Sequence, residues 1–234
     1  MRISNNQKFI DRNKKISQII LYSALGLLVL GFVWSLKNTN VEQNLTAYYI
    51  LIPAYLLVQV AISMANKWGR SPRPDEIIAL SLKGLNNQYS LYNFNAGVPH
   101  LLVGPAGIWI INPYYHSGVI SYNADKKRYV QKGGPNFFAK TFAQEGIPSI
   151  ERECKNLLAD YHDYVKSKKL DIAIEPQVVN FYYSEKVDLQ VKDAPQLNIQ
   201  ADKLKDYLRQ AAKKPLLSDE EIKRITDQLP KETA

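Results

Sequence analysis

Residues 98–118, VPHLLVGPAGIWIINPYYHSG, decide the fold of this chain. Two apolar runs, at residues 101–103 and 108–111, flank a Gly-Pro-Ala-Gly segment at residues 104–107. Proline fixes φ and glycine accepts conformations that other residues resist, so this segment predicts a tight turn. The near-continuous Ile, Leu, Val and Trp on both sides predict two strands buried in the middle of a sheet.

The layout resembles the core of the nuclease-related domain (NERD) family, a branch of the PD-(D/E)XK nuclease-like fold. In that family an Asp-His pair begins the first strand, Val-Gly-Pro-x-Gly forms the turn, and Glu-x-Lys ends the second strand. Here residues 103–107 match the turn and His100 matches the family His. However, Pro99 stands in the Asp position, and Asn112-Pro113-Tyr114 replaces Glu-x-Lys. Glu76 matches an early glutamate of the family.

The resemblance covers residues 74–210 and implies a restriction-endonuclease-like α/β (α+β) domain. Gly133-Gly134-Pro135-Asn136-Phe137-Phe138 resembles the family's Asn-Pro helix start, and Val-Val-Asn-Phe at residues 178–181 resembles its later strand. A Gly-Pro-x-Gly segment between apolar runs is also a common tight turn on its own. The ordered context therefore carries the family interpretation.

The replaced residues matter because nucleases of this type hold a hard divalent cation with carboxylate oxygens. Pro99 offers no side-chain oxygen, Asn112 offers a neutral one, and Tyr114 is uncharged at neutral pH. The resemblance then implies a catalytically inactive domain without a cofactor that acts as a binding or scaffolding module. The alternative is a magnesium-dependent nuclease with a rearranged active site, in which carboxylates such as Asp75 or Asp125 converge.

Two apolar segments precede this domain. Residues 16–36 and 46–66 contain no Asp, Glu, Lys, Arg or His, and each is long enough to cross the roughly 30 Å hydrocarbon core as a helix. The first has no small-residue cleavage site after it and is longer than a signal-peptide core, so we expect it to be retained. The two segments predict a transmembrane hairpin embedded in a lipid bilayer.

Basic residues predict the orientation of this hairpin. Residues 1–73 contain nine Lys and Arg against two Asp and Glu, a net of +7, whereas residues 74–234 contain 21 against 20, a net of +1. The basic residues of the first part lie mainly before residue 16 and after residue 66, so both termini and the soluble domain are expected to be cytoplasmic. The soluble domain lacks the excess of positive charge typical of nucleic-acid-binding domains, so this partner has little support.

The domain organisation follows from these boundaries. We expect a basic cytoplasmic arm at 1–15, the hairpin at 16–66, the NERD-like domain at 74–212, and a C-terminal helix and tail at 213–234. Within the soluble part, patterning predicts helices over residues 74–83, 149–165, 203–212 and 218–229, a short helix from Asn136 that Gly146 interrupts, and strands over residues 89–94, 101–103, 108–111, 119–122, 128–131, 177–183 and 197–199.

Candidate binding residues form two groups. The first, His100, Tyr114 and Tyr115, adjoins the degenerate site, where tyrosines suit binding to an unknown protein partner. Alternatively, His100 is a hydrogen-bonded structural histidine, and the two tyrosines belong to a strand end that covers the core. The second is a basic cluster on one predicted hairpin: Lys126, Lys127, Arg128 and Lys132. The single cysteine, Cys154, lies on a predicted amphipathic helix, which favours a structural thiol.

Overall fold

The computed structural model describes residues 1–37, 41–136, 140 and 146–230. The chain divides into two compact units. One is a helical pair at residues 8–73, and the other is a sheet domain that combines Met1–Gln7 with the described residues from Pro74 onward. The helix predicted from Asn136 falls largely on residues outside the described ranges.

The helical pair contains two helices that are long and apolar enough to cross a membrane. Helix α1 spans Gln7–Lys37, and α2 spans Val41–Met64 and continues into a π-helical turn at Ala65–Gly69. Only 11% of the most apolar window of each helix is buried. Large side chains such as Tyr22, Leu30 and Leu56 are therefore exposed, unlike those of a helix in the core of a soluble protein.

Small residues form the contact between these two helices. The buried positions of α1 recur every seven residues, at Ile10, Ser17, Ala24 and Gly31. On the facing helix Ala54 and Ala61 are buried with the same spacing. A Cβ atom at Gly31 would lie 2.7 Å from Leu51 Cδ2, so glycine leaves room for the Leu51 side chain to pack against α1.

The sheet domain is built on the predicted tight turn. Strand β3 (Val98–Gly104) pairs antiparallel with β4 (Gly107–Tyr114), with Gly104 opposite Gly107. Gly107 has a φ of 104°, and a Cβ at Gly104 would lie 2.2 Å from Tyr89 Cδ1. Both positions therefore require glycine, the first for its backbone conformation and the second for space.

Among the described residues the strands form a six-stranded sheet of order β1-β2-β3-β4-β7-β9 and a three-stranded sheet of order β6-β5-β8. The pairs β1–β2, β4–β7, β7–β9 and β5–β8 are parallel, and the others are antiparallel. The remaining strands are β1 (Arg2–Asn5), β2 (Ser90–Ala96), β5 (Gly118–Asn123), β6 (Arg128–Lys132), β7 (Gln177–Tyr182), β8 (Val187–Gln190) and β9 (Leu197–Gln200).

Helices cover both faces of the larger sheet. They are α3 (Pro74–Ser81), α4 (Ile150–Lys168), α5 (Leu204–Ala211) and α6 (Asp219–Gln228). Side chains of α3 and α5 pack with Trp109 and Ile111 on one face, whereas α4 and α6 pack with Ile108 and Ile110 on the other. A capping box formed by Ser218 and Glu221 begins α6. The result is a mixed α/β domain with helices on both sides of its sheet.

Two strands were not predicted. Strand β1 comes from the N-terminal arm and pairs in parallel with β2, with Ile3 opposite Leu91. The predicted arm at residues 1–15 therefore has two parts. Its first residues belong to the sheet domain, and its later residues begin α1. Strand β8, which is only four residues long, adds to the smaller sheet.

Candidate functional site

A row of asparagines crosses the parallel strands of the larger sheet. Asn112 of β4 is in register with Asn180 of β7, which is in register with Asn198 of β9. Two residues further on, Tyr114 is in register with Tyr182, and the two rings stack with centroids 5.2 Å apart. Because side chains alternate between faces, these polar residues share the face that is covered by α4.

Tyr114 connects this row to helix α4. Asn112 Nδ2 donates a hydrogen bond to Tyr114 OH at 2.7 Å, and Tyr114 OH donates to Glu153 Oε2 at 2.5 Å. Burial, together with the charge of the Glu153 carboxylate, raises the pKa of Tyr114 far above its ordinary value. The phenol is therefore a neutral donor, and it cannot replace the charge of a lysine.

These residues line an open cleft of about 330 Å³. Its walls come from the end of β4 and from one face of α4, and consist of Asn112, Pro113, Tyr114, Tyr115, His116, Pro148, Glu153, Asn156, Leu157 and Asp160. Tyr115 stacks on His116 with ring centroids 4.7 Å apart, and His116 Nε2 lies 3.1 Å from the Gly146 carbonyl oxygen. The described lining residues thus offer aromatic surfaces and two carboxylates, but no lysine or arginine.

A buried polar network lies behind the cleft and ties the two sheets together. Cys154 Sγ donates to Asn180 Oδ1 at 3.4 Å, and Asn180 Nδ2 donates to Asn198 Oδ1 at 3.2 Å. Asn198 Nδ2 in turn donates to the hydroxyl of Tyr129, on β6, at 2.9 Å. Burial, followed by the charge of Glu153, raises the pKa of Cys154 to about 11. The thiol is therefore protonated at neutral pH and has a structural role.

The structure brings together two of the four positions compared with the family's catalytic residues, since Asn112 and Tyr114 both line the cleft. Pro99 lies on β3 and is not among the described residues that line it. Glu76 lies instead on α3, whose buried side chains pack against the opposite face. The nearby carboxylates are Glu153 and Asp160, rather than the Asp75 or Asp125 suggested by the sequence.

His100 lies apart from the cleft. Its Nδ1 is 2.8 Å from Asn93 Oδ1, and Asn93 Nδ2 donates to Asn5 Oδ1 at 2.8 Å. It is 2% exposed and packs edge-on against Phe94. This chain of contacts links β3 to β2 and β2 to β1, which is the structural role that the sequence left open for His100.

The basic cluster lies on the exposed β5–β6 hairpin. Lys126, Lys127 and Arg128 are exposed at its turn, and Lys132 is exposed at the end of β6. None of the four lines the cleft. The two candidate groups are therefore separate surfaces.

The residues at the cleft do not fit the magnesium ion of the nuclease-like fold. Asn112 offers only a neutral oxygen, and the oxygens of Tyr114 and Glu153 are hydrogen-bonded to each other. Among the described residues no group of three or more His, Cys, Asp and Glu side chains could hold a metal ion.

Sequence reasoning missed the residues that α4 contributes. Glu153 and Asp160 are seven residues apart and so lie on one face of a helix, but spacing alone does not reveal which strand that face meets. The asparagine row left a clearer signal, since Asn180 interrupts an apolar run in β7. A polar residue inside a buried strand requires a hydrogen-bonding partner.

No family model, no curated protein and no solved structure matches this chain.

Proposed function

We propose that this protein is a membrane-anchored, catalytically inactive NERD-like domain that acts as a binding module on the cytoplasmic face. The observation that carries the proposal is the state of Tyr114. It stands where the family has its lysine, it is 3% exposed, and it bonds to both Asn112 and Glu153. Side chains whose polar atoms are already hydrogen-bonded to one another favour a fixed binding surface over a reactive centre.

The anchoring part of the proposal is supported by connectivity. Strand β1 directly precedes α1, the sheet domain follows α2, and β1 pairs with β2 inside that domain. If each helix crosses the membrane once, the chain enters the membrane before α1 and leaves it after α2 on the same side. The basic residues before α1 and after α2 favour the cytoplasm for that side.

The chemistry of the cleft favours a protein segment that presents a lysine or arginine. Tyr115, which is partly exposed and stacks on His116, offers a ring face on which an aliphatic stem or a cation packs. Glu153 and Asp160 offer carboxylates for its charged end. Nucleic acid is disfavoured here, because the basic cluster has four cations, and the six to ten phosphate contacts typical of strong salt-dependent binding require more.

Photo-crosslinking tests the binding role. The full-length protein in membranes, with p-benzoylphenylalanine replacing Tyr115, should capture a discrete protein partner. The crosslink should disappear when Asp160→Lys is added, since this exposed carboxylate then repels a basic segment. The same probe replacing Gln190, an exposed residue on β8 away from the cleft, is the control. Capture that is unaffected by Asp160→Lys would contradict the cleft assignment.

The alternative, a metal-dependent nuclease with a rearranged site, draws support from one observation. Glu153 and Asp160 line the same cleft as Asn112. We expect the purified full-length protein to cleave neither DNA nor RNA in the presence of magnesium or manganese. Cleavage that vanished with both Glu153→Gln and Asp160→Asn would establish the nuclease and refute the inactive module.

A further inference from the structure

Two aromatic residues meet at the end of the helical pair that the chain connects to residues 1–7 and 74. Phe9, in the first turn of α1, packs edge-on against Trp68, at the end of the π-helical turn, with ring centroids 5.5 Å apart. Trp68 is 5% exposed. Tryptophan is enriched at the level of lipid headgroups, where its ring is amphipathic.

A cationic side chain lies over each of these two rings. The guanidinium carbon of Arg12 lies 5.4 Å from the centroid of Phe9, and Lys67 Nζ lies 5.3 Å from the centroid of Trp68. Both cationic residues are exposed. The ring faces thus hold two long, flexible side chains in defined positions.

The π-helical turn presents Lys67 and Trp68 together. Ala65–Gly69 has this wider helical form directly after α2, and the chain becomes extended at Arg70. Single π-helical turns are rare and often occur at functional sites.

The position along the chain points to a lipid ligand. Arg12 lies one helical turn before the apolar segment that starts at Ile16, and Lys67 directly follows the one that ends at Asn66. Both cations are therefore at the boundary of the apolar segments, where anionic headgroups would lie. Lys14, another basic residue of α1 before the first apolar segment, is exposed.

We propose that Arg12 and Lys67, held over Phe9 and Trp68, form a specific site for the phosphate of an anionic phospholipid headgroup. The site rests on the proposed membrane anchoring. The guanidinium offers paired donors to phosphate oxygens and the ammonium offers a point charge. Phe9, which is partly exposed, and the neighbouring apolar segments contact the glycerol and the start of the acyl chains.

Native mass spectrometry of the full-length protein, released from nanodiscs of equal phosphatidylglycerol and phosphatidylcholine, tests this site. We expect bound phosphatidylglycerol to be retained in preference to phosphatidylcholine. The double variant Arg12→Gln, Lys67→Gln should reduce that preference about tenfold, because it removes both charged donors that contact the phosphate. The charge-matched double variant Lys14→Gln, Lys37→Gln should retain most of it.

Four results would overturn the site. An equal loss in both double variants would mean diffuse attraction only, and an absence of preference in the wild type would mean no site. Displacement of the lipid by millimolar glycerol phosphate, which lacks acyl chains, would assign the two cations to a soluble phosphate ligand. Failure of the wild type to enter nanodiscs would refute the membrane anchoring as well, whereas entry without lipid preference would refute this site alone.

Discussion

At the scale of single residues, the cleft depends on a hydroxyl group. Tyr114 OH accepts from Asn112 and donates to Glu153, so it satisfies two polar groups that come from different elements. The sequence identified Asn112 and Tyr114 through the resemblance to the nuclease-related domain. It did not identify Glu153, because the packing of α4 on the sheet, rather than any local pattern, brings this carboxylate to Tyr114.

Removal of that hydroxyl should destabilise the sheet domain. We expect Tyr114→Phe to lower the free energy of unfolding by about 1 to 3 kcal/mol, since it leaves a partly buried carboxylate without its donor. Urea unfolding followed by tyrosine and tryptophan fluorescence measures the change. Tyr122→Phe is the matched control, because it keeps the ring that packs on Tyr129. Equal effects of the two variants would contradict the role assigned to the Tyr114 hydroxyl.

The buried thiol gives a pH-dependent prediction. The pKa of Cys154 is raised from 9.0 to about 11 in the folded protein, so folding favours the protonated thiol. Its contribution to stability is fully present below pH 9 and is lost as pH rises toward 11. At pH 8 we expect Ellman's reagent to react with native protein far more slowly than with urea-unfolded protein. Comparable rates would indicate an exposed thiolate.

At the scale of elements, patterning predicted the strands that have a strong apolar signal and missed those without one. The Gly104–Gly107 turn and strands β2, β3, β4 and β7 were predicted, because each follows a buried apolar run or a glycine-containing turn. Strand β1 has four residues, and its partner β2 is more than eighty residues away. Only the assembled sheet, with the Asn5–Asn93 hydrogen bond, reveals it.

The N-terminal strand should therefore contribute to the stability of a domain that is distant in sequence. Ile3 packs against the core on the α3 side, so Ile3→Asp should cost about 1 to 3 kcal/mol by burying a charge without a partner. Hydrogen exchange of β2 amides in the full-length protein should accelerate. Arg2→Gln, which alters an exposed side chain on the same strand, should leave exchange nearly unchanged. Protection of β2 that persisted in Ile3→Asp would mean that β1 is dispensable.

At the scale of the whole molecule, charge and connectivity both bear on the predicted topology. Eight of the nine basic residues among the first 73 lie before residue 16 or after residue 66, and they predict that both ends of the hairpin are cytoplasmic. The parallel pairing of β1 with β2 requires that the residues before α1 and those after α2 meet in one sheet. The sequence contained the first argument and had no local signal for the second.

Thiol labelling of intact cells tests this topology, which is the central claim, most directly. In a Cys154→Ser background, a cysteine replacing Asn40, in the link between the helices, should react with a membrane-impermeant maleimide. A cysteine replacing Thr233, near the C-terminus, should react only after the cells are opened. Labelling of the Thr233 position in intact cells, with protection at Asn40, would contradict the cytoplasmic placement of the domain.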